Sequence, residues 1–299
     1  MRILYVLSLW SNVEQANCFI SQALVDKDAL VLVHIDAKSV SVINQIIKSE
    51  RVIILPKHYD VSWGEYSQIE AYNYLFSSAL EYGPFDYLSL NSGNDLFIRP
   101  VSEFITFLKE THKYAYYNCE PLPKSYWQYR GGFGRIAINW PKCLLRRLPD
   151  HHPLRYLRTI IGTLYHYHLI HGKTLPDNIR FMGGNDWFTL SYECVMNMMQ
   201  YINLHPDWND LFRHSYIGTE IYYVTLFEML KEGREVISNN NLRYVDWKDR
   251  GQKKNSGSPN ILTMECCAEI DSSKRFFGRK FDKRFDAEVV DYYLKRTLC

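Results

Sequence analysis

LVLVHID, residues 30–36, is the stretch from which the fold can be worked out. Five of the six residues before Asp36 are apolar, and short runs of this kind are typical of strands buried on both faces of a parallel sheet. Similar runs lie on either side of it, at 3–9 and at 52–55, and amphipathic stretches at 13–25 and 40–48 separate the three. This order predicts a βαβαβ unit.

The rest of the chain continues the alternation, with one irregular stretch. Helical spacing over 65–81 ends at Gly83-Pro84, and a strand follows at 85–90. Residues 120–180 carry several Gly, Pro and His residues, and we interpret them as an insertion that shapes a cleft. Regular patterns then resume with a strand at 187–190, helices at 191–202 and 219–231, a strand at 242–247 and a helix at 286–297.

These patterns predict a single α/β domain over residues 1–299. Strands separated by helices indicate a mainly parallel central sheet with helices on both faces. Ligands of such sheets bind beyond the carboxyl ends of the strands, where Asp36 and the segment 91–95 are expected to lie.

Composition excludes several classes of protein. The 35 Lys and Arg residues against 33 Asp and Glu leave a net charge of +2, too small for a nucleic-acid-binding surface. Seven cysteines without ligand spacing favour reduced thiols in the cytoplasm. The short apolar run at the start of the chain is interpreted as a strand, and no apolar stretch approaches the length of a spanning helix. We therefore expect a soluble cytoplasmic protein, and peripheral contact with the inner face of the membrane stays open.

Seven segments, in order along the chain, carry a resemblance to a known family. They are VHIDAKS (33–39), VSWGEYSQIEA (61–71), FDYLSLNSGNDLFIRP (85–100), GGNDWFTLSYECV (183–195), IGTEIYYVTL (217–226), LRYVDW (242–247) and FFGRKFD (276–282). Together they resemble the core 2 and I branching β-1,6-N-acetylglucosaminyltransferases and the related peptide O-xylosyltransferases. The resemblance implies a Rossmann-like nucleotide-sugar fold of the GT-A type, inversion at the anomeric carbon and no obligatory metal ion.

The first two segments are expected to bind the nucleotide of a UDP-sugar. A carboxylate at a strand end can accept hydrogen bonds from uracil or ribose, and the resemblance assigns this role to Asp36. The alternative is that Asp36 caps the following helix. The resemblance also implies donor contacts for the second segment, and an ordinary helix start with a buried Trp explains it equally well. The predicted donor residues here are Val33, Asp36, Trp63, Gly64 and Ser67.

Arg243 and Lys280 match the basic diphosphate ligands of the family. Without a metal ion, the charge that develops on departing UDP needs cations, and an Arg fork with a mobile Lys can supply them. Metal-dependent enzymes of this fold use Asp-x-Asp at the place where Asn94-Asp95 supplies one carboxylate. The alternative, solvated surface charge, fits less well in these aromatic motifs.

Glu220 occupies the catalytic position of the family. Inversion needs one base to take the proton of the acceptor hydroxyl, and Glu220 is predicted at the start of a helix. An ordinary acidic residue in a first helical turn is the alternative. Asp95, Glu120 and Trp187 are expected to line the sugar and acceptor sites, with Lys124 and Arg130 nearby, although a turn at 91–95 and a buried Trp187 are plain structural alternatives.

The chain is thus predicted to transfer N-acetylglucosamine or xylose from UDP to a glycan or lipid-linked saccharide, in capsule, lipopolysaccharide or other surface polysaccharide synthesis. No cofactor is expected besides the UDP-sugar, and the histidines 166, 168 and 171 do not complete a zinc site. Two rivals remain: a glycoside hydrolase with Glu120 or Asp95 as the second acid, and a carbohydrate-binding protein without catalysis.

Overall fold

The structure is a computed structural model that describes residues 1–146, 148–149, 151–252 and 257–298. Its strands are β1 (Ile3–Leu9), β2 (Leu30–Ile35), β3 (Val52–Ile54), β4 (Tyr87–Ser92), β5 (Leu96–Phe97), β6 (Ala115–Tyr116), β7 (Cys119–Pro121), β8 (Met182–Gly184), β9 (Thr189–Ser191), β10 (Val236–Ile237), β11 (Arg243–Val245) and β12 (Phe277–Arg279).

The helices vary from single turns to long amphipathic segments. They are α1 (Val13–Ala23), α2 (Tyr66–Glu81), α3 (Val101–Thr111), α4 (Gln128–Gly131), α5 (Phe133–Ala137), α6 (Lys142–Leu145), α7 (Pro153–His166), α8 (Tyr192–Leu204), α9 (Pro206–Phe212), α10 (Thr219–Leu230), α11 (Cys267–Ser272) and α12 (Ala287–Thr297). Two 3₁₀ helices complete the described elements, Ala37–Gln45 and Met264–Cys266.

The central sheet has seven strands in the order β10-β6-β9-β4-β1-β2-β3. Strands β1, β2, β3 and β4 run parallel, as do β6 and β10. Strand β9 runs antiparallel to β4 on one side and to β6 on the other. The prediction of an α/β fold with a mainly parallel sheet is confirmed.

Hydrophobic cores cover both faces of this sheet. Successive side chains of β1 point to opposite faces, so Leu4 and Val6 enter one core while Tyr5 and Leu7 enter the other. The first core packs under α2, α8 and α10, and the second packs under α1, α3 and α12. Because β1 is buried on both faces, its sequence reads as a continuous apolar run.

The predicted insertion leaves the domain and returns to it through one antiparallel ladder. Cys119 in β7 pairs with Gly184 in β8, and Pro121 pairs with Met182. Between these strands, α5, α6 and α7 pack around a small core of their own, in which Trp140 is fully buried. Arg147 and Asp150, in the basic stretch of this insertion, lie outside the described residues.

Two features differ from the sequence prediction. The segment predicted as a helix at 40–48 forms the 3₁₀ helix Ala37–Gln45, and Ser39 interrupts its helical backbone geometry. The stretch after 248, for which only the last helix is predicted, also contributes β12, which joins β11 and β5 in a second sheet. Strands β5 and β12 have only two and three residues, too few for any periodicity to show, whereas β11 lies within the strand predicted at 242–247.

Two further observations concern the described residues alone. Their six cysteines form no disulfide. None of the helices among them is long and apolar enough to cross a lipid bilayer.

Candidate active site

The polar residues of the predicted site gather at the carboxyl edge of the central sheet. Asp36 follows β2 directly, and Asn91 and Ser92 end β4. Because β9 is antiparallel to β4, the residues before β9 reach the same edge, and the carbonyl of Phe188 accepts a hydrogen bond from the amide of Leu90. Asp186 and Trp187 therefore lie next to the end of β4.

Arg243 is the centre of a buried polar cluster at this edge. Its Nη2 donates to the carbonyl of Leu90 at 3.1 Å and to Oδ1 of Asn91 at 2.6 Å. Its Nε lies 3.1 Å from Oδ1 of Asp95, and both side chains are almost fully buried. Burial lowers the pKa of Arg243 to about 10, and the Asp95 carboxylate acts against that shift. Asp95 thus serves as the counter-ion of an arginine.

Arg279, which the sequence analysis did not single out, completes this cluster. Its guanidinium carbon lies 3.8 Å from the ring centroid of Trp187, and that of Arg243 lies 4.9 Å from the same ring. Nη1 of Arg279 is also 3.9 Å from Oδ1 of Asp95. Two guanidinium groups and one carboxylate leave net positive charge in a largely buried place, which suits an anionic ligand.

Lys280 is half-buried and follows Arg279 at the end of β12. Its carbonyl accepts a hydrogen bond from the amide of Leu262 at 2.7 Å. The parallel pairing of β11 with β12 places Arg243 opposite Phe277, two residues before Arg279. The two segments predicted to hold a diphosphate are therefore brought together, and one of them carries two adjacent cations.

Asp36 is buried and already engaged by the protein. Its Oδ1 accepts from the amide of Lys38 at 2.8 Å, and its Oδ2 accepts from the amide of Val61 at 3.2 Å. Nζ of Lys38 lies 3.0 Å from Oδ1. The capping alternative therefore describes these contacts, and nucleotide binding by Asp36 stays a prediction.

Val33, one of the predicted donor residues, lies inside β2 and not at its end. It lies between β1 and β3, and its side chain is fully buried in the second core. Its carbonyl accepts a hydrogen bond from the amide of Leu55. These contacts are those of a packing residue, and donor contact by Val33 stays a prediction.

The segment before α2 has structural explanations for its polar and small residues. Gly64 has φ +87°, and a Cβ there would lie 3.3 Å from the carbonyl oxygen of Leu145 and 3.4 Å from Cγ1 of Ile217. Atoms of the protein itself thus approach Gly64 closely, and donor contact by Gly64 stays a prediction. Oγ of Ser67 accepts from the amide of Ser62, while the partly exposed Trp63 stays a candidate donor contact.

Glu220 lies in the first turn of α10 and pairs with a cation from the insertion. Oε2 of Glu220 is 2.6 Å from Nη1 of Arg135, and both side chains are only partly exposed. The guanidinium of Arg135 in turn stacks 3.6 Å from the ring centroid of Trp127. Arg135 was not predicted, because no sequence pattern connects residues that are 85 positions apart.

Asp186 links Glu220 to the arginine cluster. Its Oδ2 accepts a hydrogen bond from Nε2 of Gln68 at 3.2 Å. Burial and, next, the negative charge of Glu220 raise the pKa of Asp186 to about 7, and Arg279 works in the opposite direction. Because the charges of both Glu220 and Arg279 shift the pKa of Asp186, the residues around Glu220 and the arginine cluster belong to one site.

The predicted acceptor residues differ in whether they interact with Glu220. Nζ of Lys124 donates to the carbonyl of Gly183 and lies 3.5 Å from Oε1 of Glu120, which is largely exposed. Burial lowers the pKa of Lys124, while the charges of Glu120 and Glu220 raise it. Arg130 stacks on Tyr165 instead, 5.1 Å from its ring centroid. Among the described residues, no group of three or more His, Cys, Asp or Glu could hold a metal ion.

Comparison with known proteins adds independent information. The model of the Core-2/I-Branching enzyme family matches residues 18–271. Xylosyltransferase 1 of Pan troglodytes and of Homo sapiens are each 22% identical to the chain over 98% of its length. The chain covers 31% and 30% of these two relatives, so it spans about a third of their length.

Two solved structures resemble the chain more distantly. A 4-diphosphocytidyl-2C-methyl-D-erythritol synthase of Anaerococcus prevotii has 8% identity and a TM-score of 0.39, over 91% of this chain and 97% of that one. A glucose-1-phosphate thymidylyltransferase of Bacillus anthracis has 8% identity and a TM-score of 0.38, over 79% and 86%. At these scores neither structure bears on the fold or the function of this chain.

The family match covers most of the chain and includes the whole of six of the seven segments from which the resemblance was inferred. The resemblance is therefore confirmed. The chain belongs to the Core-2/I-Branching enzyme family.

Proposed function

We propose that this protein is an inverting glycosyltransferase that moves a sugar, N-acetylglucosamine or xylose, from UDP to a hydroxyl group of a glycan. The observation that carries the proposal is that Glu220 and the arginine cluster lie close to each other. Glu220 would accept the proton of the glycan hydroxyl, and the arginine cluster would bind the UDP part of the donor. Asp186 interacts with both. This is the arrangement that a single-displacement sugar transfer requires.

In the proposed reaction, the acceptor oxygen attacks the anomeric carbon while its proton passes to the carboxylate of Glu220. The bond between the anomeric carbon and the phosphate oxygen breaks, and its electron pair leaves with UDP. Arg279 and Lys280, supported by the buried Arg243, would stabilise the negative charge on the diphosphate. The bond that forms lies on the opposite face of the sugar, so the configuration inverts.

The proposed enzyme does not require a metal ion. The carboxylate where metal-dependent enzymes of this fold carry Asp-x-Asp is Asp95, and it lies against Nε of Arg243. A cation held there would compete with the guanidinium for the same oxygen. The existing positive charge can do electrostatically what a bound Mg²⁺ does elsewhere.

The test is calorimetric binding of UDP in excess EDTA, followed by release of UDP from UDP-sugars in the presence of saccharide acceptors. We expect the wild type to bind UDP without a metal ion, and Arg279→Gln and Lys280→Gln to weaken binding about tenfold or more. Lys283→Gln is the matched control, because Lys283 lies near Glu14 and Asp291 at the surface.

Binding that appears only with Mg²⁺ or Mn²⁺ would contradict the role given to the cations. Release of free sugar from a glycan without UDP would favour a glycoside hydrolase. A carbohydrate-binding protein without catalysis is contradicted by UDP release that depends on an acceptor. The proposed setting is synthesis of capsule, lipopolysaccharide or another surface polysaccharide, on a glycan or lipid-linked saccharide.

A further inference from the structure

Helix α7 in the insertion is apolar on two opposite sides. Its inner side carries Tyr165, which is buried, and Leu154 and Ile161, which pack against the small core around Trp140. A surface helix normally presents polar residues on its other side. Here the outer side carries large apolar residues instead, so the packing of the described residues leaves an apolar surface uncovered.

We name this surface the α7 apolar face. It consists of Tyr156, Leu157 and Ile160 on the helix, and of Tyr167 and Leu169 directly after it. Ile160 is 55% exposed and Leu169 is 69% exposed. Residues 156, 160 and 167 share one side of a helix with 3.6 residues per turn. Five large exposed apolar side chains within fourteen residues are more than the scattered single residues of an ordinary surface.

The chain around the α7 apolar face carries more positive than negative charge. Residues 151–176 contain no Asp or Glu, but they contain two Arg, one Lys and five His, and Arg158 among them is buried. Arg155 lies on α7, and Lys142 and Arg146 precede the helix with exposed side chains, of which Arg146 pairs with Glu65. Asp150 and Asp177 are the nearest acidic residues along the chain. A basic helix with tyrosines and aliphatic residues on its outer face is typical of proteins that bind an anionic membrane surface.

A second copy of the chain suits this face less well. Two α7 apolar faces in contact would bring two basic rims together, and like charges across an interface disfavour association. An anionic lipid surface instead attracts the basic rim while the apolar side chains enter the boundary between headgroups and acyl chains. Tyrosines favour that boundary because their rings are apolar and their hydroxyl groups are polar.

Helix α7 also lies on the acceptor side of the candidate active site. A Cβ on Gly162 would lie 1.9 Å from the Tyr129 ring, so α7 packs tightly on the turn before α5. Arg135 of α5 pairs with Glu220. Between α7 and residues 128–129 there is a groove of about 290 Å³, lined by Thr159, Thr163 and His166. Helix α7 is therefore connected to the predicted base through the segment that carries Tyr129 and Arg135.

We propose that the α7 apolar face binds the surface of an anionic lipid bilayer, and that this holds the acceptor side of the site near the membrane. The binding itself does not depend on the proposed sugar transfer, because it is measured without any donor. A glycan carried on a lipid would then meet Glu220 from the membrane side.

The test is co-sedimentation of the full chain with vesicles of phosphatidylcholine alone and of phosphatidylcholine with phosphatidylglycerol. We expect binding to the mixed vesicles only, and weaker binding at higher salt. The double variant Tyr156→Ser with Ile160→Asn should lower the partition coefficient at least about tenfold. Leu204→Asn, in an apolar residue at the end of α8 that is even more exposed, is the control and should bind like the wild type.

A second variant gives a readout that does not depend on loss of binding. Tyr156→Trp should show a blue shift of its added fluorescence with mixed vesicles, because the indole enters a less polar environment. The proposal is overturned if the wild type binds neither vesicle, or if the double variant binds as well as Leu204→Asn. Dimerisation that is lost in the double variant, without vesicle binding, would assign the face to a second copy. UDP release with a soluble acceptor should be unchanged in the double variant, which separates this proposal from the proposed function.

Discussion

Glu220 and Asp186 are two neighbouring carboxyl groups with different surroundings. Glu220 is partly exposed at the amino end of α10 and has the guanidinium of Arg135 as its partner. Asp186 is buried and accepts a hydrogen bond from the neutral amide of Gln68. The protein therefore compensates a charge on Glu220 directly and leaves Asp186 in a place where a charge is costly. We expect the two residues to respond differently when their charge is removed.

Replacing Glu220 by Gln should abolish most of the proposed transfer. The amide cannot take a proton from the acceptor hydroxyl, so kcat should fall by about 10²–10⁴-fold while UDP binding is kept. The matched control is Glu103→Gln, because Glu103 also pairs with an arginine, Arg99, but on the surface of α3. Steady-state UDP release measures both variants. Equal loss in the control, or full activity in Glu220→Gln, would remove Glu220 from the mechanism.

Replacing Asp186 by Asn should change how stability depends on pH. The pKa of this carboxyl is about 7 in the folded chain against 3.8 ordinarily, so between these values the folded protein holds a proton that the unfolded chain has released. Raising the pH from 4 to 8 therefore lowers the free energy of unfolding of the wild type, by up to about 4 kcal/mol. The amide of the Asp186→Asn variant cannot ionise, so the variant should lack this part of the decline. Urea unfolding at several pH values measures this decline. If the wild type and Asp186→Asn lost stability in parallel as the pH rises, the raised pKa of Asp186 would be contradicted.

At the residue level, the sequence could indicate candidates but not their contacts. Glu220 and Arg243 were found through the family motifs, and the structure brings their segments to one edge. Arg135 and Arg279 were missed, because their significance comes from side chains far away in the sequence. The hydrogen bonds from Arg243 to the carbonyl of Leu90 and to the side-chain amide of Asn91 cannot be predicted from the sequence either.

Among the elements, β7 and β8 connect the insertion to the rest of the domain. The chain leaves the domain after β7 and re-enters it at β8, and the two strands pair in a short ladder. Gly184 lies in this ladder, and a Cβ there would lie 2.0 Å from the carbonyl oxygen of Asn118. The glycine is therefore required by close backbone approach, and the ladder cannot accept a larger residue without moving.

Gly184→Ala should accordingly destabilise the protein by about 2 kcal/mol or more, because backbone has to shift. Gly233→Ala is the control: Gly233 has φ +78°, but a Cβ there would meet nothing within 4 Å. The free energy of unfolding of Gly233→Ala should fall by about 1 kcal/mol, from backbone strain alone. Urea unfolding compares the two, and equal losses would show that the contact with residue 118 does not matter.

The predictability of elements followed their length. Strands β1, β2 and β4 have six or seven residues and are buried on both faces, so their apolar runs stand out. Strands β5 and β12 have two and three residues, owe their existence to pairing with distant segments and were not predicted. The Ala37–Gln45 segment has apolar residues at helical spacing, yet it lies across a strand end with no buried residue and forms 3₁₀ turns instead.

On the scale of the whole molecule, the cores are unequal. Two large cores cover the faces of the central sheet, while the insertion has only a small one around Trp140. Local stability follows the amount of buried apolar surface. The insertion should therefore open more often than the sheet that carries the arginine cluster.

Amide hydrogen exchange followed by mass spectrometry tests this difference. We expect α7 to exchange about 10²-fold faster than β1 and β4, as a difference of about 3 kcal/mol in opening free energy would give. Helix α2, which packs on the first core, serves as the internal control for an ordinary helix of the domain. If α7 and α2 exchanged at the same rate, the insertion would be an equal part of one cooperative unit.

The reversed direction of β9 has a consequence for the diversity of such enzymes. A parallel strand would deliver its last residues to the working edge, but β9 delivers the ones that precede it, Asp186 and Trp187. The β7–β8 ladder sets the point at which the chain re-enters the domain, whatever the length of the segment between these strands. We expect that grafting residues 122–181 from a relative, with Arg135 kept, would change which glycan the proposed transferase uses and leave the affinity for UDP as it was.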